Sequence, residues 1–151
     1  MHEWALYYAI LLSIAAVVSS VTAVLLWRRR HVPAAFPLFL YALASLIWSL
    51  TYAIYWLAPT GSARIFWLDA TYVGVVIAPG AFFVFTLMYT HRARWINRTT
   101  VALLTIEPLL TLLLLWTDPL HGVFFDGKRT PESSTIFDGG PWFWTHLIYS
   151  Y

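Results

Sequence analysis

Cysteine is absent from the 151 residues, and charge is scarce: only 11% are Asp, Glu, Lys or Arg. Without cysteine there is no disulfide framework, no thiolate metal site and no cysteine nucleophile. A soluble domain is typically about 25% charged and about 45–50% apolar. This chain is 60% hydrophobic and 19% aromatic, so it lacks the polar residues needed to cover its own surface in water. A formal charge of +2 with no long basic run gives no argument for nucleic acid, and no nucleic-acid partner is expected. No internal repeat of fixed period occurs, which removes support for an inverted-repeat transporter. Missing too are a serine nucleophile elbow, a phosphate-cradling glycine loop and a His-Glu-x-x-His zinc motif. A cleaved signal peptide is not expected either. There is no basic n-region, the apolar stretch runs on to Trp27, and Arg28 to Arg30 stand where small residues would mark cleavage.

What is present is long uncharged stretches, which predict an all-α, polytopic transmembrane helical bundle. The spans read as 4–27, 37–57, 66–89 and 99–116, with an incomplete fifth at 141–151. Pro37 falls in the first turn of the second span, where a missing N–H costs little. "APTGSAR" (58–64) reads as a short turn, and Asp118 to Gly140 as an extramembrane loop. The last eleven residues, 141–151, would rise about 17 Å as helix, against a hydrocarbon core of about 30 Å. The expectation is therefore a fragment, the N-terminal part of a longer membrane protein cut within its fifth helix, with a re-entrant or interfacial amphipathic end as the alternative. In the first span, Ala15, Ser19 and Ala23, with Ala16 and Ser20, mark a helix-packing face.

Basic residues set the expected orientation in the cell membrane. Arg28, Arg29, Arg30, Arg92, Arg94 and Arg98 belong to one set of connections, and Arg64, Lys128 and Arg129 to the other. The richer set is expected in the cytoplasm, which leaves the N-terminus outside. "NRT" at 97–99 matches a glycosylation sequon but falls on the cytoplasmic side at a helix start.

Candidate functional residues are the polar groups these spans carry. Glu107 sits near the middle of the fourth span and is followed by Pro108. A charge at the centre of a membrane helix costs about 2.5–3.5 kcal/mol on insertion scales, and such residues usually face the bundle interior. Pro108 cannot donate to the carbonyl of Leu104, so a kink is expected at the depth of the carboxylate. Pro79, followed by Gly80, predicts a second kink in the third span. Three roles stay open for Glu107: a hydrogen bond to a neighbouring helix or to the freed carbonyl, contact with a ligand or ion, or a proton relay. Asp69 lies near the start of the third span, on one helical stripe with Tyr72, Val76, Pro79 and Phe83. It is either a first-turn acid complementing the helix dipole or, with Glu107, a wall of one outward-facing cavity. His121 and His146 fall on the outer side near Asp118, Asp126 and Asp138, without metal-ligand spacing. No metal and no cofactor are expected.

Three strings carry a resemblance: "FWLDATYVGVVIAPGAFFVFTLMYTHRARW" (66–95), "IEPLLTLLLLWTDPLHGVFF" (106–125) and "GGPWFWTHLIYSY" (139–151). Together they resemble the N-terminal seven-transmembrane sensor region of bacterial and archaeal histidine kinases. The matching positions are Trp67, Leu68, Tyr72, Gly74, Pro79, Phe85 and Tyr89, then Pro108, Thr117 and His121, then Gly140, Phe143, His146, Tyr149 and Tyr151. Two departures stand out: Asp118 where Asn is usual, and Phe125 where Trp is common. The resemblance implies a sensory input module without catalytic activity of its own. It also implies downstream cytoplasmic signalling domains, homodimers formed through them, and an unknown small-molecule or membrane stimulus. On this reading Asp69, Tyr72, Glu107, His121, His146 and Tyr149 are the candidate ligand-binding residues. The rival is a proton- or ion-coupled transporter or channel subunit using Asp69 and Glu107. A small assembly factor is a third possibility if 151 residues is the native length.

Overall fold

Apolar runs of twenty or more residues cannot leave backbone polar groups unpaired in lipid, and helix is the form that satisfies them within one segment. The computed structural model describes residues 3–126 and 139–150, and all of its regular structure there is helical. Four long helices come first: α1 (Glu3–Arg28), α2 (Ala35–Leu57), α3 (Gly61–Tyr89) and α4 (Arg98–Trp116). A single 3₁₀ turn (Ala93–Trp95) precedes α4, and the short α5 (Asp118–His121) and then α6 (Pro141–Ser150) follow it. The four long helices are each long and apolar enough to cross a membrane. His2, Lys128, Arg129, Asp138 and Tyr151 lie outside the described residues.

Capping chemistry moves two helix starts away from the apolar boundaries. Thr60 accepts the Ala63 N–H at 3.3 Å, so α3 begins at Gly61 and absorbs most of the expected 58–64 turn. Arg64 Nε donates to the Ala58 carbonyl at 3.2 Å and holds the same corner. Asn97 accepts the Thr100 N–H at 2.9 Å and caps α4, so the sequon asparagine is engaged as an N-cap. Both α3 and α4 continue as helix through their internal prolines, Pro79 and Pro108.

The helices pack in chain order, α1 on α2, α2 on α3, α3 on α4, and α4 on α6. The inner face of α1 carries Ala5, Ala9, Leu12, Ala16, Ser19, Ala23 and Leu26; its four alanines are buried and the other three half-buried. Their spacing alternates four and three, the repeat of a left-handed coiled-coil seam. Ala16 and Ala23 of the expected small-residue face lie at its centre, with Ala15 and Ser20 half-buried at its flanks. Backbones come closest between α2 and α3: a Cβ on Gly74 would lie 2.4 Å from the Ala44 carbonyl oxygen and 2.7 Å from the Trp48 nitrogen. At that level only glycine fits. One turn away the Thr51 hydroxyl donates to the Thr71 hydroxyl at 3.1 Å, joining the same two helices.

Part of the expected 118–140 loop is ordered against the end of the bundle. Residues 118–126 form α5 and a turn that carries Phe124 and Phe125 into a cluster with Tyr72, Leu115 and Phe143. The Asp118 carboxylate, itself buried, accepts the N–H groups of Phe124 (2.7 Å) and Phe125 (3.3 Å). Gly140 N–H donates to the Phe124 carbonyl at 2.6 Å, and Trp142 N–H to that of Val123 at 3.2 Å. A Cβ on Gly140 would lie 2.3 Å from the Val123 oxygen. The turn thereby sets where α6 starts and which face it turns to α4.

Candidate functional site

Helical spacing puts Leu104, Glu107, Thr111 and Leu115 on one face of α4. Pro108 leaves the Leu104 carbonyl without its normal donor four residues on. Tyr149 of α6 fills that vacancy, its hydroxyl donating to Leu104 O at 3.2 Å. Gly80, next to Pro79 in α3, faces the same spot: a Cβ there would lie 3.6 Å from the Tyr149 hydroxyl and 3.7 Å from Leu104 O. The two internal prolines therefore sit on helices that meet at one level, with α6 between their polar groups.

Glu107 is joined to α6 rather than to the freed carbonyl. His146 Nδ1 lies 2.7 Å from Glu107 Oε1. The Thr111 hydroxyl donates to the same oxygen at 2.8 Å, and Trp142 Nε1–H donates to Thr111 Oγ1 at 2.9 Å. With Glu107 ionised, His146 donates through Nδ1 and its Nε2 accepts from Ser150, whose hydroxyl is 3.4 Å away. Trp142 and His146 are four apart on α6, as Glu107 and Thr111 are on α4, so the two pairs interlock like matching rungs. Both donors to Glu107 converge on Oε1. Glu107 Oε2 is buried and has no hydrogen-bond partner among the described residues. Thr111 and His146 are buried, and the Glu107 side chain is 13% exposed.

In surroundings this apolar, each hydrogen bond is stronger than in water and each unmet polar atom costs more. The cluster can therefore do two things. It can hold α6 against α4 through a chain of directional bonds, and it can offer Oε2 to a proton or to a hydrogen-bond donor. Tyr72 of α3 closes one side, its ring 6.3 Å from that of His146 and edge-on to Phe124 at 5.2 Å.

The remaining candidates lie elsewhere. Asp69 is buried and lines a cleft of about 550 Å³ at the α5 end, with Trp116, Asp118 and His121 among its walls; Glu107 is not part of that lining. This cleft does not bring Asp69 together with Glu107. His121 is used locally. The Val123 N–H donates to its Nδ1 at 3.1 Å, which makes Nε2 the protonated nitrogen, and Nε2 donates to Thr117 Oγ1 at 2.9 Å. Its Nδ1 lies 4.0 Å from Asp118 Oδ1, but a lone pair committed to Val123 leaves no proton there for an ion pair. The two histidines expected together near the outer aspartates are separated: His121 caps a turn, and His146 meets Glu107. Among the described residues no three His, Asp or Glu side chains converge to hold a metal ion.

Sequence reading missed Thr111 and Trp142, which complete the network, and noted Asp118 as an outer aspartate and a departure from a pattern without its role in the turn. The signal for the first two was available in the four-residue spacings 107–111 and 142–146. The acceptor role of Asp118 is one an asparagine side-chain oxygen also fills, so that substitution leaves the turn's chemistry intact.

A family model described as the N-terminal 7TM region of histidine kinase matches residues 11–151. No curated protein and no solved structure matches the chain.

Proposed function

Since the chain belongs to the family of N-terminal 7TM regions of histidine kinases, we propose that it is the membrane-embedded sensory input module of a signalling protein. In this reading the α4–α6 junction is where the stimulus acts. The observation that carries it is the Trp142–Thr111–Glu107–His146 chain, which ties α6 to α4 through one carboxylate oxygen and leaves the other without a hydrogen-bond partner among the described residues. A small apolar or weakly polar ligand, or a change in the bilayer, shifts packing where Pro79–Gly80, Pro108 and Tyr149 meet. The shift passes along later helices to a dimeric cytoplasmic output. Catalytic groups belong to that output, and the N-terminus lies outside. An input role needs two helix packings of similar energy, and a cluster with one unmet acceptor has a second partner choice built in.

The transporter alternative requires carboxylates that hand a cargo along a path. Asp69 lines an α5-end cleft whose walls do not include Glu107, which favours the sensor. The test uses the full-length gene product in liposomes, with labelled ATP to read autophosphorylation and an ion-flux assay alongside. Glu107→Gln preserves the acceptor oxygen but removes the charge, and it is expected to change autophosphorylation without any flux appearing. Unchanged autophosphorylation would reduce Glu107 to a packing role, and proton or ion flux in the wild type would install the alternative.

A further inference from the structure

We propose that the end of the bundle where α1 passes to α2 holds a seat for one anionic phospholipid. A trough of about 400 Å³ runs along α1 and α2, bounded by Ser20, Ala23, Val24, Trp27 and Arg28 on one side and by Phe39, Leu43 and Leu46 on the other. Small side chains at Ser20 and Ala23 make it, because larger ones would fill the space opposite Leu43 and Leu46. From Ser20 to Arg28 it extends about 12 Å along the helix, room for much of an acyl chain. Its walls are apolar except at the mouth, where Arg28 closes α1 and Arg29 and Arg30 follow. The Trp27 ring, 5.1 Å from Phe39, carries the Arg30 guanidinium at 4.7 Å from its centre. An amphipathic tryptophan beside arginines is the composition of a membrane interface.

Charge selects an anionic occupant over a neutral one. All six arginines of the 28–30 and 92–98 segments gather at this end, and no Asp or Glu occurs between residues 20 and 46 or between 85 and 106. Nothing acidic from the chain's own neighbouring segments therefore neutralises them. A lipid phosphate at Arg28 with its chain in the trough satisfies both features at once. A protein helix laid in the trough would meet its apolar walls and leave the guanidinium groups unanswered. Clustered arginines at a membrane surface attract anionic lipid by about fivefold per charge.

Native mass spectrometry of the full-length gene product purified in detergent, given phosphatidylglycerol or phosphatidylcholine with identical chains, tests this. One phosphatidylglycerol is expected to be retained in preference to phosphatidylcholine. Arg28→Gln, at the trough mouth, should weaken that retention about fivefold, Ser20→Phe should abolish it by filling the trough, and Arg94→Gln, outside the trough lining, should weaken it less than Arg28→Gln. Brominated-chain phosphatidylglycerol should quench the fluorescence of Trp27, a wall of the trough, and Ser20→Phe should relieve that quenching. Equal retention of the two lipids would overturn the proposal. So would equal losses in Arg28→Gln and Arg94→Gln, which would indicate bulk charge alone, or retention that survives Ser20→Phe, as expected if a helix or second copy covers the trough.

Discussion

Tyr149→Phe removes one hydroxyl, and the structure says that its cost depends on a residue on another helix. The hydroxyl donates to Leu104 O, the carbonyl that Pro108 leaves without a donor. Hydrogen bonds between membrane helices average about 0.6 kcal/mol and reach about 1.7. An acceptor left unmet adds desolvation cost, so a loss of about 1–1.5 kcal/mol is expected. In a Pro108→Ala background, residue 108 regains its N–H and can satisfy Leu104 O within α4. Tyr149→Phe should then cost little, giving a coupling energy between the two positions of about 1 kcal/mol, within the range measured for interacting residues. Reversible unfolding in mixed detergent–SDS micelles of the four proteins of the cycle gives that number. Equal losses with Pro108 in place and in the Pro108→Ala background would refute the reasoning, because the hydroxyl would then be acting elsewhere.

Other substitutions test other joints of the same frame. Thr111→Val strands the Trp142 N–H and takes one donor from Glu107, so a loss of about 1–3 kcal/mol is expected in the same unfolding assay; adding Trp142→Phe should recover part of it. Gly74→Ala places a methyl 2.4 Å from the Ala44 carbonyl and should lower the thermal midpoint in detergent, at a cost of about 1–3 kcal/mol. A near-normal midpoint would mean that α2 and α3 approach less closely. Asp118→Asn should be almost neutral, since one side-chain oxygen can still accept from Phe124, whereas Asp118→Ala should expose the 122–126 turn to hydrogen exchange at Phe124 and Phe125.

The four spans were legible because apolar length is a property of each segment alone. Their ends were less so: Thr60 and Asn97 extend helices by capping, which hydropathy does not register. Glu107–Pro108 announced itself as a carboxylate beside a missing donor, and both halves of that oddity proved to have partners on α6. Which partner served which half was hidden, because His146 and Tyr149 lie about forty residues away, beyond a turn whose fold depends on Asp118 and Gly140. The stripe read from Asp69 through Tyr72 and Val76 is buried, but Phe83 at its far end is 46% exposed. His121 and His146 looked alike in sequence because both are histidines near acidic residues; backbone donors claim one and a side-chain carboxylate claims the other.

If the Glu107–His146 contact sets the state of the input module, breaking it and replacing it must have different consequences for stability and for output. Autophosphorylation of the reconstituted full-length protein tests this through Glu107→Leu, His146→Phe and the double variant, with unfolding measured alongside. Each single change leaves a buried polar group without its partner, while the double change replaces the pair by apolar groups of similar shape, which is often nearly neutral for stability. The double variant is therefore expected to regain most of the stability lost in the singles. Its output should nonetheless differ from wild type by about 5–150-fold, the usual range for coupled sites, and by no more than the larger single effect. Wild-type output in the double variant would contradict the claim, leaving the pair as a fastening between helices and nothing further.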